Sequence, residues 1–143
     1  MTTLAANTPR GYELGDHNDL PVIASDIIYE GAAVGLVVST GHCRPLVAQD
    51  LFVGFALEKA DNSSGAAAAI TVRVRRVGCI QLTVTGATVD DIGKRVYAED
   101  DNSFTLTLGS PGSSYIGRVK RFVSTGICVV EYNANDAATY VYA

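Results

Sequence analysis

His42 and Cys43 stand side by side and put a base next to a nucleophile. A cysteine nucleophile needs its thiolate held against that base, yet neighbouring residues of a strand point to opposite faces. The pair therefore reads as part of a surface loop over residues 41–50, not as a catalytic dyad. The other histidine, His17, lies far away in Gly15-Asp16-His17-Asn18-Asp19. Acidic groups at Asp16/Asp19, Asp90-Asp91 and Asp100-Asp101 raise the question of calcium, an ion that takes roughly six to eight oxygens. None has the alternating acid spacing of a calcium loop. Glu99-Asp100-Asp101-Asn102 instead has turn composition, because Asp and Asn bond their own backbone and tolerate left-handed angles. Gly109-Ser110-Pro111-Gly112-Ser113 precedes a strand rather than a helix and lacks the Lys-Ser/Thr end of a phosphate loop. Cys43, Cys79 and Cys128 are widely separated, with no spacing suited to zinc. No catalytic, cofactor-binding or metal-binding residue is assigned, and a non-enzymatic protein is expected.

The charged residues narrow the partners. Net charge is −4, so no general attraction for phosphate backbones is expected. Basic residues gather as Arg73/Arg75/Arg76, Lys94/Arg95 and Arg118/Lys120/Arg121. They read as solvated strand faces or as guards against edge mispairing, with contacts to an acidic protein surface as the functional alternative. Direct nucleic-acid binding is not expected, since aromatic residues for base stacking scarcely interleave with them. Cys79 and Cys128 fall in apolar strand-like runs, where a free thiol acts as a small hydrophobe. An odd cysteine count without a framework fits a reducing cytoplasm. The opening MTTLAANTPRGYELGD lacks the basic and apolar regions of a signal peptide, and no apolar run is long enough for a membrane helix.

These residues need elements to hold them, and the pattern is strand after strand. Runs at 27–29, 33–38, 51–57, 70–77, 79–84, 115–123 and 127–132 are rich in Val, Ile, Thr, Tyr and Phe. Ile70, Val72 and Val74 alternate with Thr71, Arg73 and Arg75; Ile80, Leu82 and Val84 alternate with Gln81 and Thr83. Two further runs, 95–99 and 104–108, flank the turn Asp100-Asp101-Asn102-Ser103 as a hairpin. Residues 66–69 read as a loop or strand edge, and Val89-Asp90-Asp91-Ile92 as one helical turn stopped by Gly93. Residues 1–24, with Pro9 and Pro21, read as an extended N-terminal arm without periodicity until Ile23. Residues 25–143 follow as a single β domain whose tail closes on Tyr140-Val141-Tyr142. The fold class expected is all-β: a small antiparallel sandwich or barrel, jelly-roll or β-tulip-like, carrying that arm. Apolar residues make up 48% of the chain, which fits either a well-filled core or apolar surface buried between subunits.

Read in order, GAAVGL at 31–36, LFVGFALEKADNSSG at 51–65 and TVRVRRVGCIQL at 71–82 form a pattern. It continues with GATVDDIGKRVYAEDDNSFTL at 86–106 and IGRVKRF at 116–122. The series resembles the capsid cement, or head decoration, proteins of tailed bacteriophages. That resemblance implies a structural virion protein on the outer capsid surface, made in the host bacterial cytoplasm. It implies a homo-oligomer, a trimer ahead of a dimer, that cements neighbouring major capsid protein subunits, without membrane or cofactor. The alternative is a carbohydrate- or receptor-binding β-module of a virion. Its sugar platform would draw on Tyr12, Tyr29, Tyr97, Tyr115, Tyr132, Tyr140 and Tyr142, since tryptophan is absent.

Overall fold

Alternation of apolar and polar residues builds the longest strands, as the computed structural model shows for the residues it describes, 3–109 and 112–137. The strands are β1 (His17–Pro21), β2 (Asp26–Ile28), β3 (Ala33–Val37), β4 (His42–Pro45), β5 (Leu51–Ala56) and β6 (Ala60–Asn62). They continue as β7 (Thr71–Arg75), β8 (Val77–Thr85), β9 (Arg95–Ala98), β10 (Phe104–Thr105), β11 (Ser114–Ser124) and β12 (Ile127–Asn133). A 3₁₀ turn at Val89–Asp91 and one helical turn, α1 (Ala134–Ala137), complete them. The protein is all-β.

Two larger units result. One is a five-stranded sheet ordered β1-β7-β5-β3-β4; the other is a closed barrel ordered β10-β8-β12-β11-β9. A short ribbon, β2-β6, lies beside the sheet. Pairing between the strands is antiparallel except where β10 joins β8 in parallel, Phe104 opposite Val84, and at one isolated bridge. The sheet is nearly a ring as well. A parallel bridge joins Val22 to Cys43, and the Ile23 amide donates to the Cys43 carbonyl at 2.8 Å.

Side chains from both units meet in one core. Phe52 and Phe55 of β5 pack edge-on at 5.3 Å, and Phe55 meets Tyr132 of β12 at 4.9 Å between ring centres. Phe104 approaches Phe55 from the barrel at 6.1 Å. Edge-to-face rings add attraction beyond the area they bury. A second core lies inside the sheet and is built from Val22, Ile28, Val34, Cys43, Val72 and Val74. Thr71, Arg73 and Arg75 face outward, as their alternation with Val72 and Val74 requires.

Three short strands depart from the sequence reading. β1 forms inside the stretch expected to be a non-periodic arm, because partner contacts hold it. Leu20 lies opposite Val72, and Arg73 grips the Asp19 carboxylate through bonds of 2.9 and 3.1 Å. β4 replaces the expected surface loop, and Cys43 on it is fully buried, while Cys79, in an apolar strand-like run, is exposed. β6 is a three-residue strand that sequence periodicity cannot register. The run 104–108 shortens to Phe104–Thr105. The hairpin itself, the 3₁₀ turn ahead of Gly93 (φ 87°) and the loop at 66–69 stand as expected. Tyr140, Val141 and Tyr142, like Ser110 and Pro111, lie outside the described residues.

Candidate interaction surface

The residues first considered for chemistry are dispersed or locked. Cys43 lies at the centre of the sheet's core, and burial, with the Asp50 charge nearby, pushes its thiol up to about 12. Such a thiol stays protonated and is no nucleophile. His17 is exposed, with Nε2 3.8 Å from Asp16. At the hairpin tip the Asp100 carboxylate accepts the Asn102 amide at 2.8 Å and the Ser103 hydroxyl at 3.0 Å, so it closes a turn. Asp101 has its carboxyl held above the ordinary value by burial and by the charges of Asp100 and Asp26. Asp91 is buried at the 3₁₀ turn, where Lys94 and the Thr88 amide hold its carboxyl below the ordinary value. Among the described residues no group of three His, Cys, Asp or Glu is placed to hold a metal ion.

Most of the basic clusters are spoken for in the same way. Arg73 pairs with Asp19, and Lys94 with Asp91 at 2.6 Å. Arg76 bonds the Gly15 carbonyl and the Asn135 side chain, and Arg118 donates to the Gly93 carbonyl at 2.9 Å. Arg75 Nε donates to the Val77 carbonyl at 3.2 Å, which covers part of a strand edge. This matches the edge-guard reading of that residue.

What the body leaves available is a segment and a groove. Residues 3–14 run exposed without strand or helix, and Leu4, Tyr12 and Leu14 are 69%, 89% and 99% exposed. Burying three such side chains would release water from a substantial apolar area. The groove lies where sheet and barrel splay apart. β7 runs through Arg76 into β8, so one long strand serves both units. One of its edges is covered without a break. The Arg76 amide donates to the Asp16 carbonyl at 2.8 Å, and Ala134 donates to the Arg76 carbonyl at 2.9 Å. Farther along, Val84 donates to the Gly126 carbonyl at 2.8 Å, so the even-numbered residues of β8 bond towards β12.

The opposite edge has a gap. β5 covers it as far as Arg75, opposite Phe55, and β10 resumes at Val84. Between them Val77, Cys79 and Gln81 direct their backbone groups away from β12. Apart from the Val77 carbonyl, these groups have no strand partner among the described residues. A cavity of about 350 Å³ opens here against Phe55, Leu57, Ile80 and Tyr132, with Arg75 and Glu30 at its rim. Sequence alone does not locate it. A gap in pairing depends on where three separate strands stop, and no residue pattern records that.

No protein-family model matches the chain, and no curated protein matches it. The tyrosines are unequal as a sugar platform: Tyr97, Tyr115 and Tyr132 are buried. Tyr29 is exposed but carries the Lys59 ammonium over its ring at 5.3 Å from the centre.

Proposed function

We propose that the chain is a head decoration protein of a tailed bacteriophage, binding the outer capsid as a homo-oligomer and clamping neighbouring major capsid subunits. The observation that carries this reading is the exposed segment 3–14 and its apolar side chains, set on a body whose basic clusters are mostly engaged internally. A clamp needs area and repeated attachment more than reactive groups. Several weak contacts on one oligomer give strong retention through effective concentration. The order of turns and strands that resembles the cement family points the same way.

An arm spanning residues 1–24, together with one sheet edge, would make the capsid contact if the whole arm were free. Because β1 and the fully buried Val22 belong to the body, we assign that contact to the outer part of the arm. Removing residues 3–9 leaves that body intact. Co-sedimentation with expanded, undecorated heads of the encoding phage should fall about tenfold for this deletion, as loss of one contact in a multivalent set requires. Undiminished binding would overturn the role of the arm. Failure of the full chain to bind heads at all would overturn the reading itself.

A further inference from the structure

We propose that the open edge of β8 receives residues 11–14 of a second copy of this chain, so that the protein assembles by exchanging N-terminal segments. An uncovered strand edge templates another strand, and backbone bonds supply affinity while alternate side chains select the partner. Antiparallel pairing with Glu13 opposite Cys79 puts Gly11 opposite Gln81 and Leu14 opposite Gly78. In that register Glu13 and Gly11 meet the residues whose backbone groups lack a strand partner.

The side chains fit the same register. Residues directly opposite share a face. Tyr12 falls opposite Ile80, which packs towards the core, so Tyr12 and Leu14 turn into the apolar groove beside Phe55 and Tyr132. Glu13 turns outward with Cys79, where Lys120 Nζ stands 3.7 Å from the sulfur. A carboxylate there meets an ammonium, with the Arg75 guanidinium next along the edge. Pro9, which has no amide to donate, falls opposite Thr83, one residue before β10 takes over the edge at Val84.

The segment must come from another copy. Asp16 of the same chain is fixed opposite Arg76 on the far edge of the shared strand, through the 2.8 Å bond. The groove register would place Gly15 opposite Val77 on the near edge. Neighbouring strands lie about 4.8 Å to either side, so the two edges are held about 9.6 Å apart. Consecutive Cα atoms span about 3.8 Å. One chain cannot occupy both positions. Each copy therefore gives a segment and takes one, which closes into a symmetric dimer or a ring. This leaves residues 3–9 free for a capsid, and its test needs no capsid.

The test uses the full chain with Glu13→Cys. Cys43 and Cys128 are buried, so Cys79 is the reactive partner. Under oxidised glutathione, covalent multimers are expected on a non-reducing gel, and none when Cys79→Ser is added. Sedimentation of the unmodified chain should give a multiple of 15.0 kDa. Leu14→Ser, at a side chain 99% exposed and so harmless to the fold, should raise the dissociation concentration about tenfold, and Ile80→Glu at least as much. A mass of one chain at high concentration overturns the proposal. So does an oligomer of the Glu13→Cys variant that forms no disulfide to Cys79 of another copy, or one that Leu14→Ser leaves unchanged.

Discussion

The sheet built from residues 17–75 and the barrel built from 77–133 meet the same demand, closing a surface of strands, by different means. The barrel closes through an unbroken circuit of backbone pairing, with a two-residue strand, β10, as its last link. The sheet closes through a single bridge, Val22 to Cys43, and polar side chains tie the loops around it. Arg44 binds Asp50 through two bonds of 2.9 and 2.8 Å, and Asp50 also accepts the Val47 amide at 3.0 Å. Asn62 donates to the Ile23 and Ala66 carbonyls at 2.9 and 3.0 Å. The difference teaches where each unit is vulnerable. Barrel stability depends on packing and register, while sheet closure depends on a few side chains.

The aromatic seam is the place to break both units together. Phe55 is 3% exposed and touches rings from β5, β10 and β12. Phe55→Ala should cost about 3–5 kcal/mol by loss of transfer energy and the cavity left behind. Denaturant unfolding should keep one transition at a lower midpoint. Two separated transitions would mean that sheet and barrel are held together elsewhere.

The sheet's own closure is next in size. The Asp50 side chain is 9% exposed and that of Arg44 33%, so removing the carboxylate strands a partly buried cation and frees the Val47 amide. Asp50→Ala should cost about 2–4 kcal/mol. Hydrogen exchange should quicken in β3, β4 and β5 before it changes in β11 and β12. Equal loss of protection in the barrel would erase the contrast between the units. Asn62→Ala removes two bonds from a residue 2% exposed and should cost about 1–2 kcal/mol, again with faster exchange near β2 and β6.

The same contrast decides what can be read from sequence. All the barrel strands are legible there, because residues such as Ile80, Leu82 and Val84 carry the alternation themselves, although 104–108 keeps only two paired residues. The sheet hides two of its own strands, β1 and β4, and the ribbon beside it hides β6. His17-Asn18-Asp19-Leu20-Pro21 has almost no strand propensity and is ordered by Arg73, Val72 and Val74 across from it. Cys43 sits between His42 and Arg44, so its burial shows only once Val22 closes over it. For the interaction surface, the arm is visible as an extended, aperiodic segment marked by Pro9 and Pro21. The groove is not, because it is defined by the ends of β5 and β10.

The smallest effect lies at the 3₁₀ turn between β8 and β9 and tests whether the barrel too relies on a polar side chain. The Asp91 carboxylate accepts the Thr88 amide at 2.7 Å and the Thr88 hydroxyl at 3.1 Å, and pairs with Lys94. Lys94 first, then the Thr88 amide, lowers its folded pKa below the ordinary value of 3.8. A carboxyl lowered on folding adds stability above its unfolded pKa and loses it as pH falls through the folded value. Asp91→Asn should therefore be less stable than the parent at pH 7, with the difference vanishing once both are acidified well below 3.8. Asp19 and Asp61, also lowered, keep an acid limb in both proteins, so the quantity that matters is the difference between their denaturation midpoints. A difference that persists unchanged into strong acid would assign Asp91 a packing role. The barrel would then close without electrostatic help, and the contrast with the sheet would be sharper.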